Sequence, residues 1–182
     1  SNDIMVNVSL IPVEVSSGDY FVSKSVFFDY NDFNLTREAK IEIEKLHRVM
    51  NENPSLFVEV SGHTDSRGTP EYNKQLSVQR ARSVIDYLSN KGISAQRFVA
   101  KGLGDTELLA VNENPDGSDN PEGRKYNRRV DIKILKGGDN IVLEDVNIPE
   151  NLLFKTPVYY TIWLAETQKE LPPSYFSKYP NE

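Results

Sequence analysis

Between Ser25 and Leu135 the apolar pattern switches repeatedly between a period of two and a period of 3.6. That alternation limits the possible folds more than any single residue does. "SVFFDY", Ser25–Tyr30, is an aromatic and β-branched run and predicts a buried strand. "NDFNL" breaks it with turn-forming residues. From Thr36 the pattern is helical. Thr36 can cap, Glu38 suits the positive end of the helix dipole, and Ala39, Ile43, Leu46 and Met50 form one apolar stripe. Pro54 stops it, because the residue before a proline avoids helical geometry.

"LFVEVSGH", Leu56–His63, predicts a second strand, and Gly62 frees the backbone near its end. Ser77 is read as the cap of a second helix, with Val78, Ala81, Ile85 and Leu88 facing inward and Gly92 ending it. Arg97–Gly104 and Arg128–Leu135 predict two more strands, separated by a long polar loop. In the last of these Val130, Ile132 and Ile134 share a face. Strands joined by helices imply right-handed crossovers and parallel pairing, with the final strand antiparallel at an edge. The expected fold class is a mixed α/β (α+β) domain, βαβαββ, with a small mixed sheet and both helices on one face.

Composition sets the outer bounds. The 182 residues suit one domain with an appendage, and 38% apolar residues allow a real core. No apolar run approaches the ~20 residues of a membrane helix. A net charge of −6 without a basic stripe argues against nucleic acid as a partner. The absence of cysteine removes disulfides and thiolate metal sites from this sequence. No signal peptide is visible, and the start at Ser1 reads as a piece of something longer. Three segments are expected: a lead-in at 1–24, a domain at 25–136 and an extension at 137–182. The stretch 141–182 holds 5 of the 10 prolines and 7 of the 18 aromatics. The extension is therefore expected to pack on the domain or on a partner, with "VYYTIWL" as a further strand.

The chemistry concentrates in "SGHTDSRGTPEYNKQLSVQRARSV", Ser61–Val84. Asp65 offers acceptor oxygens, Thr64, Ser66 and Thr69 offer hydroxyls, and Asn73 offers both donor and acceptor. Arg80, read as lying near a helix N-terminus, offers a planar fork for a carboxylate. Such a site could clasp a zwitterionic, amino-acid-like ligand. On spacing alone, a structural Asp65–Arg80 salt bridge is the simpler alternative.

"GHTDSRG" and "NKQLSVQRARSV", preceded by "FFDYNDFNLT" and followed by "EGRKYNRRVDIKI", resemble the OmpA-like (OmpA/Pal/MotB) peptidoglycan-binding domain. The motif residues are Thr64-Asp65, Asn73, Leu76-Ser77, Arg80-Ala81 and Val84, and the resemblance covers about 110 residues from Val26 to Leu135. It implies a non-covalent wall anchor. Asp65 would take the ammonium and Arg80 the carboxylate of diaminopimelate in the peptidoglycan stem peptide. It further implies that Asn31, Asn73, Thr64 and Ser66 line the pocket. Arg128 would reach the ligand or brace Arg80, with Arg129 the competing choice. The implied location is the periplasm, next to the outer membrane. The tail adds envelope or secretion-complex proteins as partners, in the style of Bacteroidetes type IX secretion components.

Three rival readings carry less. His63 beside Asp65 suggests a hydrolase, but no GxSxG or HExxH motif or zinc set is present, so no catalytic residue, metal or cofactor is expected. "DGSDNPE", Asp116–Glu122, suggests calcium but lacks the spacing of an EF-hand loop. A docking module would use the tail aromatics Tyr159, Tyr160, Trp163, Tyr175 and Phe176.

Overall fold

A computed structural model describes residues 20–154. The order is β1 (Tyr20–Ser23), β2 (Ser25–Phe27), α1 (Arg37–Glu52), β3 (Phe57–His63), α2 (Pro70–Asn90), β4 (Phe98–Gly104), α3 (Pro121–Asn127), β5 (Arg129–Lys136) and β6 (Ile141–Glu144). One sheet has the order β2-β5-β3-β4; a second pairs β1 with β6. Strands β3 and β4 are parallel, whereas β5 is antiparallel to both β2 and β3. The expected mixed α/β class is therefore observed, with one correction. The last strand of the predicted set does not lie at an edge; it fills the middle of the sheet. Its hydrogen bonds on both sides bring β2 and β3, 30 residues apart along the chain, onto opposite flanks of one strand.

Helices α1 and α2 contribute to one core. Ala39, Ile43, Leu46, Val49 and Met50 of α1 meet Ala81, Val84 and Leu88 of α2, over Val26, Val58, Val60, Val130 and Ile132 of the sheet. Each of the larger side chains contributes roughly 1.5–3 kcal/mol by leaving water. The Thr36 cap is present, its hydroxyl accepting the Ala39 N–H at 3.1 Å. Helix α1 ends at Glu52, just ahead of Pro54.

Helix α2 begins earlier than Ser77. Thr69 caps it, accepting the Tyr72 N–H at 3.2 Å, and Pro70 occupies the first turn, where its missing N–H costs nothing. Ser77 instead lies in mid-helix, fully buried. It donates to the Lys74 carbonyl at 2.7 Å and accepts the Gly104 N–H at 3.0 Å. It rests on Gly62 and Gly102, which are directly opposite one another in β3 and β4. A β-carbon on Gly62 would lie 1.9 Å from the Ser77 carbonyl oxygen; one on Gly102 would lie 2.4 Å from Val78 Cγ2. Two glycines thus form a bare seat that lets α2 approach the sheet at this point.

The polar loop before β5 contains α3, which was not expected. Asn120 caps it by accepting the Gly123 N–H at 2.9 Å, and Pro121 starts it. Strands β1 and β6 extend order beyond the predicted 25–136 limits. "VYYTIWL" and the five tail aromatics lie outside the described residues. No helix among the described residues is long and apolar enough to cross a membrane.

Candidate functional site

Four segments converge at the β3 C-terminal end: the β2–α1 loop, the β3–α2 loop, the buried face of α2, and the junction between α3 and β5. They enclose a cleft of about 60 Å³ lined by Tyr30, Asn31, Thr64, Asp65, Arg67, Gly68, Tyr72, Asn73, Leu76, Arg80 and Arg128. Of the sequence-nominated residues, Ser66, Thr69 and Arg129 are outside this lining, and Thr69 is spent as the cap of α2. Ser66 lies at the rim. It is exposed, and its N–H reaches Asn112 Oδ1 at 3.5 Å.

Asp65 and Arg80 share the cleft but do not bond each other. The Asp65 carboxylate accepts the Arg67 N–H at 3.1 Å and pairs with Arg128 at 3.0 Å. The alternative of an Asp65–Arg80 salt bridge is therefore not what the fold builds: Arg128 supplies the counter-charge of this acid. Arg80 sits in the third turn of α2, far from the helix N-terminus, so the helix dipole does not assist it. Its side chain is completely buried, and it donates to three backbone carbonyls, Asp32 at 2.8 Å, His63 at 2.8 Å and Asp29 at 3.0 Å. Phe28 packs its ring under the guanidinium, 5.4 Å from centroid to carbon. Burial, and then Arg128 nearby, lower the Arg80 pKa to about 10, so it stays charged near neutrality.

The choice between the two adjacent arginines is clear in position. Arg128 enters the cleft but does not brace Arg80; its remaining bond goes to the Phe28 carbonyl at 3.3 Å. Arg129 turns away to Asp131 at 3.0 Å and to the Glu107 carbonyl.

The loop before α1 is shaped to present its carbonyls. Asn31 adopts φ 54°, a left-handed conformation that asparagine tolerates. Asp32 accepts from Asn34 N–H at 2.8 Å, and that bond holds its carboxyl below the usual range. Across the mouth, the Tyr72 hydroxyl donates to Asn31 Oδ1, and Arg67 lies over the Tyr30 ring. Tyr30, Arg67, Gly68 and Tyr72 line the cleft without a sequence signal that nominates them, and Leu76 enters it as a motif residue.

The cleft keeps unused bonding capacity. A guanidinium has five N–H donors. Arg80 uses three and Arg128 two among the described residues. On the acceptor side, Thr64 Oγ1 and Asn73 Oδ1 are buried without partners, and Asp65 retains lone pairs. Three arginines against one aspartate give the lining a positive excess. It can accept a carboxylate and, beside Asp65, an ammonium. Among the described residues no group of three or more His, Cys, Asp or Glu could hold a metal ion. In the candidate calcium loop, Asp116 closes its own turn on Ser118, and Asp119 pairs with Arg67 and Arg124.

His63 turns its imidazole away from the cleft lining, toward Asp131 at 3.3 Å. Burial, helped by the Arg129 charge, lowers its pKa to about 4. The unfolded chain, with a His pKa near 6.5, takes up a proton first as pH falls. Stability from His63 is therefore present above about pH 6.5 and is lost progressively down to about pH 4. Urea titrations from pH 7 to 4.5 should show this fall, and a His63→Gln chain should show a shallower one.

The model of the OmpA family matches residues 27–122, more than half of the sequence. The chain belongs to the OmpA family. Outer membrane protein A of Serratia marcescens is 33% identical over 139 residues, covering 71% of this chain and 38% of that protein. Outer membrane porin F of Pseudomonas aeruginosa is 36% identical over 114 residues, covering 62% and 31%. A Gloeobacter violaceus protein named as a photosystem I apoprotein is 42% identical over 111 residues, 61% of this chain but 13% of its own length. The OmpA-family chain thus spans well under half of these relatives. Among solved structures, the peptidoglycan-associated lipoprotein of Burkholderia pseudomallei matches at TM-score 0.55 and 26% identity, covering 62% of this chain and 90% of that one. The C-terminal domain of Helicobacter pylori MotB matches in fold at TM-score 0.52 and 20% identity, covering 60% and 82%.

Proposed function

We propose that this OmpA-family domain binds cell-wall peptidoglycan without catalysis, by seating the free amino-acid end of diaminopimelate from the stem peptide. The observation that carries this reading is the unused bonding capacity of the cleft, with Arg80 and Arg128 donors beside Asp65, Thr64 and Asn73 acceptors. The relative from Burkholderia pseudomallei, a peptidoglycan-associated lipoprotein by name, supports it. In this reading Arg80 and Arg128 bind the carboxylate. Asp65 exchanges part of its pairing with Arg128 for the ligand ammonium, and Asn31, Asn73 and Thr64 complete the lining. Ser66 is left a minor role at the rim.

The domain would work in the periplasm, holding an outer-membrane or envelope assembly to the wall. A type IX secretion assembly is the narrower proposal; it rests on the character of residues 137–182. Charge-assisted bonds of this kind contribute about 1.5–3 kcal/mol each. Asp65→Ala should weaken binding of a diaminopimelate muropeptide at least about thirtyfold, close to 2 kcal/mol, by calorimetry. The lysine-type muropeptide lacks the distal carboxylate and should bind more weakly to the unaltered chain. Equal affinity for the two ligands would defeat the site assignment.

A further inference from the structure

Strand β2 forms one edge of the four-stranded sheet. Its bonds to β5 run through alternate residues: Phe28 N–H donates to the Arg128 carbonyl at 2.9 Å, and Val26 lies opposite Val130. In an antiparallel ladder the intervening residues point their backbone groups the other way. Both backbone groups of Phe27, a half-buried residue, therefore face outward; the N–H of Ser25 points the same way but from a residue only 3% exposed. The Ser25 carbonyl is already taken by the Ser23 hydroxyl at 2.8 Å. Among the described residues no strand pairs with this outer side of β2.

A groove follows that edge. Two hollows of about 430 and 470 Å³ share Phe27, Thr36 and Glu38, so they form one trough between β2, the first turns of α1, and α3. Its apolar surface includes Phe27, Tyr126 and Ile41, the last 52% exposed on α1. An open strand edge beside an apolar trough is the geometry that takes an added strand: backbone bonds supply affinity, and pockets read alternate side chains.

Charge narrows the occupant. Lys125 is tied to Glu122 at 2.6 Å and Arg128 to Asp65 at 3.0 Å. The Glu38 and Asp29 carboxylates, by contrast, have no bonding partner among the described residues, so the trough presents net negative charge. Residues 1–19 of the chain carry Asp3, Glu14 and Asp19 and no lysine or arginine, so they match it poorly. We propose that the trough is a docking site for an extended segment of a partner protein. That segment would alternate apolar residues with lysine or arginine and add to β2 as an extra strand.

The test uses the full 182-residue chain and a labelled seven-residue probe alternating lysine and valine. One control peptide replaces the central valine with proline; another replaces lysine with glutamate. Fluorescence anisotropy should show the probe binding about tenfold more tightly than either control, and Glu38→Lys should cost it about fivefold. Amide exchange should slow at Phe27 on addition of the probe. Three peptides that bind alike, no binding at all, or protection confined to other amides would each overturn the proposal. So would slow exchange at Phe27 in the chain alone, which would identify one of its own ends as the occupant.

Discussion

Replacing Arg80 with alanine should destabilise the domain by about 3–5 kcal/mol, as well as abolish ligand binding. The guanidinium joins two carbonyls of the β2–α1 loop to the end of β3. Removing it leaves the buried His63 carbonyl without a partner, which alone costs about 1–3 kcal/mol. It also leaves a void beside Phe28 and frees the loop that carries Asn31. Arg80→Lys should recover less than half of the loss, because one ammonium cannot span three carbonyls in separate directions. Urea denaturation measures both, with the exposed Arg82→Ala as a control that should stay within about 0.5 kcal/mol. If Arg80→Ala loses binding and less than 1 kcal/mol of stability, the residue serves the ligand alone and the framework role is wrong.

Gly62→Ala should cost about 3 kcal/mol or more. The new β-carbon would meet the Ser77 carbonyl oxygen at 1.9 Å, and that atom is backbone, so no side-chain rotation relieves the clash. Either α2 lifts or β3 bulges. Both movements pull Ser77 from the Gly104 N–H, so the Gly104 amide should exchange faster. Both also displace Asn73 and Arg80, one turn on either side of Ser77. Gly92→Ala is the comparison: it has open space around it and φ +97°, so only backbone strain opposes it, at about 1 kcal/mol. Comparable losses for the two glycines would mean that the close approach of α2 is not what Gly62 protects.

Helix α1 could be read from sequence because its cap, apolar stripe and stop are all local. The start of α2 could not be read the same way. Its inward face carries Asn73, Ser77 and Arg80, polar residues that a hydrophobic period discards. The better signal was Thr69-Pro70-Glu71, a cap followed by proline and an acid. Asn120-Pro121-Glu122 gives the same signal for α3, and it was hidden by surrounding turn residues. The central place of β5 depends on pairings across about 70 and 100 residues, which no local pattern records. At the site, the family motif located Asp65, Arg80 and Asn73. It could not reveal that Arg80 bonds to backbone carbonyls, because backbone acceptors have no sequence identity.

The parallel pairing of β1 with β6 has a mechanical consequence. Tyr20 aligns with Ile141, and β1 runs through Lys24 into β2. A pull on the backbone at Tyr20 in line with β1 loads the β1–β6 pair first, because the chain bends at Lys24 before entering β2. The parallel hydrogen bonds between β1 and β6 would then carry that load in shear instead of opening one after another like a zipper. Survival under such a pull depends on the rate of forced unfolding more than on equilibrium stability.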